Sequence, residues 1–488
     1  MAGSRHVRVA ILGAGFAGLG MAIQLTRRGI DDFLVIERAD EVGGTWRDNT
    51  YPGAACDIRS DLYSFSFFPK PDWTTHYASQ PEILGYLKAA AEHHDLYSRM
   101  LLGTELTSAS WDESEELWHI ETSRESLTAS VLVAGAGPLI DPKWPDIPGL
   151  ESFTGPRFHS ARWNHDIDLA GKRIAVIGTG ASAIQFVPEL QKVAARVTVF
   201  QRSAPWIVPR ADAVTSRGRR SLFARVPPLQ RISRRWIFAR AEAQFAGFRF
   251  RLVGKVIEAL ATSYRNHAVP DPELRRKLSP TFRLGCKRIL ISSAFYPAMS
   301  EPNVELVTDA IGSIEGNTII TTDGASHTVD VLIAGTGFNA TKPPVARLLR
   351  GRDDVLLADR WQPHMSALHG TTVSGFPNLF LLVGPNTALG HNSIIYIIEA
   401  QLDYVLKALD ALDRRNASTL EPTPAAQAEY NARLQRSLSR AVWSTGGCTN
   451  FYLDETGRNT TLWPHRAAAF RRALSRFRTR DYAFAAKR

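Results

Sequence analysis

Two glycine-rich runs carry the most specific chemistry in this chain, Gly13-Ala14-Gly15-Phe16-Ala17-Gly18 and Gly178-Thr179-Gly180-Ala181-Ser182-Ala183. Glycines at this spacing let the backbone approach a pyrophosphate, and a helix that starts there turns unpaired N–H groups and its positive dipole end toward the phosphates. A charged residue stands 24 positions after the first glycine of each run, Glu37 in one case and Arg202 in the other. A carboxylate accepts both hydroxyls of a free ribose, whereas a guanidinium suits a 2′-phosphate that an acid would repel. Gly13, Gly15, Gly18 and Glu37 are therefore expected to hold the ADP half of FAD. Gly178, Thr179, Gly180, Ser182 and Arg202 are expected to hold NADPH.

Such loops work only at the end of a strand. Val7 to Leu12 is β-branched and aliphatic, an amphipathic helix follows the first loop to about Arg28, and Phe33 to Ile36 reads as the next strand. The second copy has strands at Arg173–Ile177 and Val197–Phe200. Right-handed βαβ crossovers make both sheets parallel, so the fold class is α/β with two Rossmann-like dinucleotide-binding domains. The run Val9–Ile23 is apolar or glycine throughout and mimics a signal-peptide core, but the fingerprint inside it assigns it to strand, turn and helix.

Composition narrows the class. The 488 residues are 44% hydrophobic and 22% charged, a globular balance with room for two or three domains. The net charge of +10 is uneven, because residues 202–288 hold 20 Lys/Arg against 5 Asp/Glu and leave the remainder at −5. A surplus confined to one segment implies a local anionic partner and no nucleic-acid coat. No apolar run is long enough to span a bilayer. Cys56, Cys286 and Cys448 form no CxxC, so neither disulfide nor metal site is expected and a reducing, cytoplasmic setting is. Two cofactor folds on one chain leave two chemistries, a disulfide reductase, for which Cys56 lacks a neighbouring partner, and a monooxygenase.

Between the loops, Phe153, Gly155, His159 and Trp163 lie in an order that closely resembles the FxGxxxHxxxW signature of type I Baeyer–Villiger monooxygenases. Gly44, Trp46, Tyr51, Pro52, Gly53 and Asp57 match a second signature of that family, Asp330–Gly337 resembles its linker motif, and Gly384-Pro385-Asn386 its return to the flavin domain. The resemblance implies a flavoprotein that uses NADPH and O2 to insert oxygen beside a ketone carbonyl by way of a C4a-peroxyflavin, sulfides being a further substrate class. Related N-oxidising monooxygenases usually carry Tyr or Phe where Trp163 stands, so N- or S-oxygenation is the alternative, with a plain NADPH–flavin reductase the remaining one.

The same resemblance implies roles. Lys287 joins Arg202 and Ser203 on the 2′-phosphate, Arg288 faces the flavin as catalytic cation, and Asp57 pairs with it. Thr45, Trp46, Tyr63 and Asn386 become flavin positions, and His159 positions the linker without moving protons. The implied domains are 1–150 and 341–488 for FAD, and 151–340 for NADP with a helical insertion at about 210–280 that covers the substrate entrance. Three positions depart from the family: Asn164 after the signature, Gly335 for Ala in the linker, and Phe451 for Trp near the C-terminus. The aromatics interleaved with Arg217–Lys255 are read as packing inward, with an interfacial helix on anionic membrane as the alternative. Arg466–Arg488 is expected to be an exposed helix.

Overall fold

The computed structural model describes residues 5–487. Its first half is built on β1 (Arg5–Leu12), α1 (Phe16–Arg27), β2 (Phe33–Ile36) and β3 (Ser126–Ala134). β1 lies between β2 and β3, parallel to both, so the strand order reverses at its carboxyl end. That reversal opens the crevice in which such sheets bind ligands. Val9 and Ile11 face the helical layer while Ala10 and Leu12 face the opposite one, so β1 is buried on both sides.

The chain then crosses to a second parallel sheet through β4 (Arg157–His159), β5 (Arg173–Ile177), α2 (Ala183–Gln191) and β6 (Arg196–Phe200). Three long or medium helices follow, α3 (Arg217–Arg225), α4 (Pro227–Arg249) and α5 (Arg251–Ala268). β7 (Val304–Val307) and β8 (Val331–Ala334) complete the order β7-β6-β5-β8-β4. The chain returns to the first sheet with Leu349–Arg350 and β9 (Leu379–Leu381), the latter parallel to β3. The helix α6 (Ile394–Arg415) covers that sheet through Ile395, Ile398, Leu402 and Leu409.

The C-terminus differs from expectation. Helix α7 (Ala467–Leu474) buries Ala467, Phe470 and Leu474, and Tyr482–Ala486 is a strand antiparallel to Ala417–Pro422. The basic residues that suggested an exposed helix lie on its outer side, and the apolar spacing of three and four decides the burial.

Two glycines show how tightly the loops are drawn. A Cβ on Gly18 would fall 1.8 Å from the Gly13 carbonyl oxygen, so only glycine lets α1 sit against the turn. At Gly335 the nearest atom to an added Cβ is 3.4 Å away, so the alanine usual in the family fits and its absence is sterically neutral. Gly18→Ala is expected to cost about 2 kcal/mol or more through overpacking, and Gly335→Ala less than about 0.5 kcal/mol. Thermal denaturation of the two variants checks this, and equal losses would contradict the steric account.

Candidate active site

Each glycine loop has its expected partner nearby. Glu37 follows β2, is buried, and its carboxylate accepts hydrogen bonds from Ala14 N at 2.8 Å, Ala39 N at 3.0 Å and Arg47 Nη1 at 3.0 Å. It is thereby fixed at the edge of the Gly13–Gly18 turn. Gly44 packs against Gly15, with an added Cβ only 3.1 Å from the Gly15 Cα, which lays Thr45 and Trp46 alongside the loop. Trp46 Nε1 donates to Tyr63 Oη at 3.2 Å, with the rings edge to face. Asn386 approaches from the C-terminal part with φ +57; its Nδ2 donates to the Asn459 and Leu462 carbonyls, and its buried Oδ1 has no partner among the described residues. An orphaned buried acceptor, two glycine contacts that a side chain would fill and a fixed carboxylate fit a bound FAD.

The second loop is open to an anion. Arg202 follows β6 and is exposed, and Lys287 Nζ donates to Ser203 Oγ at 2.6 Å. Neither cation has a carboxylate partner among the described residues. Burial, and then the charge of Arg202, push the Lys287 ammonium below the usual lysine range. Two facing cations without an acid, beside a hydroxyl, are the donor set for a phosphate dianion. Gly178 closes the loop with φ +107, and a Cβ there would meet the Gly335 carbonyl at 2.6 Å. Thr179 is buried in the turn and Ser182 precedes α2.

Between the loops lies a contact that joins the sheets. Arg288, carried by the second half, donates from Nε at 2.9 Å and from Nη2 at 2.6 Å to Oδ2 of Asp57, carried by the first. The Asp57 charge, against the opposing effect of burial, raises the guanidinium above its ordinary range, so it is a permanent cation. Its Nη1 makes no hydrogen bond among the described residues and remains a donor. Tyr452 is buried nearby, its phenol pushed up to about 12 by burial while Arg288 pulls the other way. Burial and Asp57 also raise the Cys56 thiol, which leaves it a poor nucleophile.

Several neighbours escaped the sequence reading. Gln185 on α2 donates to the Ala55 carbonyl at 3.0 Å and accepts from Tyr51 Oη at 3.0 Å, clasping the strip that leads to Asp57. Cys286 and Cys448, expected to be unpaired, form a disulfide. They stand 162 residues apart, and only the packing of the Lys287-Arg288 segment against the C-terminal part brings them together, so spacing gave no signal. Asn450 strengthens that seam by donating to the Cys286 and Trp443 carbonyls. Phe451 is exposed and packs on Tyr452, with ring centroids 4.3 Å apart.

The signature residues sit apart from the ion pair, on the crossing between sheets. β4 runs parallel to β8 with His159 opposite Ala334, so the outgoing and returning chains lie side by side. Phe153 is buried, Gly155 lies where a Cβ would come within 2.4 Å of the Asp330 carbonyl, and Trp163 packs edge-on to Phe158 and against Phe186 of α2. His159 accepts from Ala161 N at 3.1 Å through Nδ1, and its ring lies between Trp144 and Phe338. Burial lowers it to about 4, so it is neutral at physiological pH.

Residues 10–216 match the family model described as pyridine nucleotide-disulphide oxidoreductase. The chain is 47% identical to a Baeyer-Villiger monooxygenase of Streptomyces coelicolor, over 98% of this chain and 92% of that protein. Among solved structures it is similar to cyclohexanone monooxygenase from Rhodococcus sp. Phi1 bound to NADP+, with a TM-score of 0.89, 27% identity and coverage of 99% and 100%. The OTEMO complex with FAD and NADP gives a TM-score of 0.88 at 27% identity, over 98% and 99%.

The neutral burial of His159 has a signed consequence for stability. The unfolded imidazole protonates near 6.5 and the folded one near 4, so protons favour the unfolded chain and stability falls as pH drops through that window. Between pH 7.5 and pH 5 this single group accounts for a loss of about 2 kcal/mol. His159→Asn, which keeps an acceptor for Ala161 N, should lose that much less than the parent in urea unfolding at the two pH values. Equal losses would contradict a buried neutral imidazole.

Proposed function

The chain belongs to the Baeyer–Villiger monooxygenase family, and from that premise we propose that its substrate is a ketone, converted to an ester or lactone by insertion of one atom of O2. It is an FAD-dependent NADPH monooxygenase. The observation that supports the ketone reading is the Arg288 guanidinium, held by Asp57 across the seam between the sheets with Nη1 still able to donate. When a nucleophilic oxygen attacks a ketone carbon, negative charge develops on the carbonyl oxygen, and a preoriented cation stabilises it more than it stabilises the neutral ketone.

FAD, when bound, supplies the passage of electrons from NADPH to O2. The residues of the chain supply position and charge. Gly13, Gly15 and Gly18 admit the pyrophosphate while Glu37 takes the ribose hydroxyls, and Thr45, Trp46, Tyr63 and Asn386 line the flavin side. Gly178, Thr179, Gly180 and Ser182 admit the second pyrophosphate, and Arg202, Ser203 and Lys287 take the 2′-phosphate. Asp57 orients Arg288 and is a positioning residue as much as an acid. His159 holds the outgoing strand against the returning one. The two crossings support a division at about residues 150 and 340. The demand for NADPH supports a cytoplasmic setting, while the Cys286–Cys448 disulfide removes the argument from unpaired cysteines.

Incubation with NADPH, 18O2 and a panel of ketones should yield labelled ester; labelled N- or S-oxide alone, or peroxide alone, would overturn the ketone reading. Arg288→Ala should leave flavin reduction within about threefold and lower ester formation by about 100-fold or more. For Arg202→Ala, the KM for NADPH should rise about tenfold while that for NADH stays unchanged; equal changes would remove Arg202 as the discriminating residue.

A further inference from the structure

The outer face of the helical insertion is both apolar and cationic, a combination the oxygenation chemistry does not use. Of 17 large hydrophobic residues exposed among the described residues, ten fall between Leu222 and Leu260. On α4, Leu229, Ile232 and Trp236 recur at helical spacing with Trp236 65% exposed; on α5, Leu252, Val256 and Leu260 do the same with Leu252 80% exposed, and Phe250 stands exposed at the joint. Each stripe lies on the side opposite the packed one. The inner side of α4 carries Phe238 against Tyr396, Phe245 against His391 and Phe248 against Trp443. The inward packing expected for the aromatics therefore holds for those three and for buried Phe223, and fails for Trp236 and Phe250.

Charge completes the pattern. From Arg217 to Lys255 the only acid is Glu242, and it is buried, accepting from His391, Asn392 and the backbone of Ala467. Arg219 and Arg234 are committed inward to Asp61 and Glu399. Arg231, Arg235, Arg240, Arg249, Arg251 and Lys255 are exposed and have no carboxylate partner among the described residues. These tethers fix α3 to the loop at Asp61 and α4 to α6, so the outer face is held in place.

We propose that this face binds an anionic lipid surface, with Trp236, Phe250, Leu252 and Val256 entering the headgroup boundary and the flanking cations meeting lipid phosphates. An anionic bilayer satisfies both halves of the face, because aliphatic side chains leave water while the guanidinium groups stay at the headgroups. A second copy of the chain would bring two cationic faces together without an acid to offset them, and a nucleic acid would leave the aliphatic stripes in water.

The test uses the FAD-loaded enzyme pelleted with vesicles, one set of equal parts phosphatidylglycerol and phosphatidylcholine and one of phosphatidylcholine alone. Binding to the anionic set only, weakened in about 0.5 M NaCl, is expected. The triple variant Trp236→Ser, Leu252→Ser, Val256→Ser should lower the bound fraction about tenfold or more while NADPH turnover and melting temperature stay as in the parent. No binding to anionic vesicles at low salt would overturn the proposal, and so would equal binding by the triple variant. Binding to a DNA duplex without binding to vesicles, or self-association in sedimentation that the triple variant abolishes without any vesicle binding, would assign the face to those partners instead.

Discussion

A single carboxylate oxygen registers the two nucleotide sheets of this protein. Oδ2 of Asp57 takes both Nε and Nη2 of Arg288, and the two residues belong to different halves separated by 231 positions. Donors at 2.6 and 2.9 Å tolerate little sliding, because charge-assisted hydrogen bonds weaken steeply with distance and angle. Everything that fixes the sheets relative to each other therefore bears on where the guanidinium points. Gln185 clasps the strip before Asp57, β4 and β8 run together where the chain crosses, and Gly178 admits the Gly335 carbonyl. Cys286, adjacent to Lys287-Arg288, is tied to Cys448.

The same registration explains why one basic segment serves several purposes. Its first and last residues, Arg202 and Arg288, stand at the proposed 2′-phosphate position and at the seam. Arg219, Arg234 and buried Glu242 fasten the helical insertion to the loop at Asp61, to α6 and to the start of α7, so the aromatic inner side of α4 is held over the C-terminal part. Arg231, Arg235, Arg240, Arg249, Arg251 and Lys255 face outward. A charge count blends these roles, and only their separate partners distinguish them.

Legibility from the sequence followed the range of the interaction. The glycine loops, their strands and the charge at the end of each second strand are set within some 25 residues by backbone sterics, and all were readable. So was the pairing of Arg288 with Asp57, though only through resemblance, since 231 positions of separation leave no local signal. The Cys286–Cys448 bond, the Gln185 clasp and the Glu242 tether were invisible for that reason. The outward turn of Trp236 was missed for another: Arg and aromatic residues interleave equally on a helix that packs its aromatics and on one that presents them, and the choice depends on where α4 meets Tyr396 and His391.

We infer that Asp57 and Arg288 act as one unit that directs electrons from NADPH into oxygenated product. A double-mutant cycle on coupling tests it most directly, measuring product and hydrogen peroxide formed per NADPH oxidised for Asp57→Asn, Arg288→Lys and the double variant. Each single variant should leak peroxide, and the double variant should leak no more than the worse of the two. Losses that multiply, so that the double variant falls by the product of the single effects, would show two independent roles and rule out a single unit.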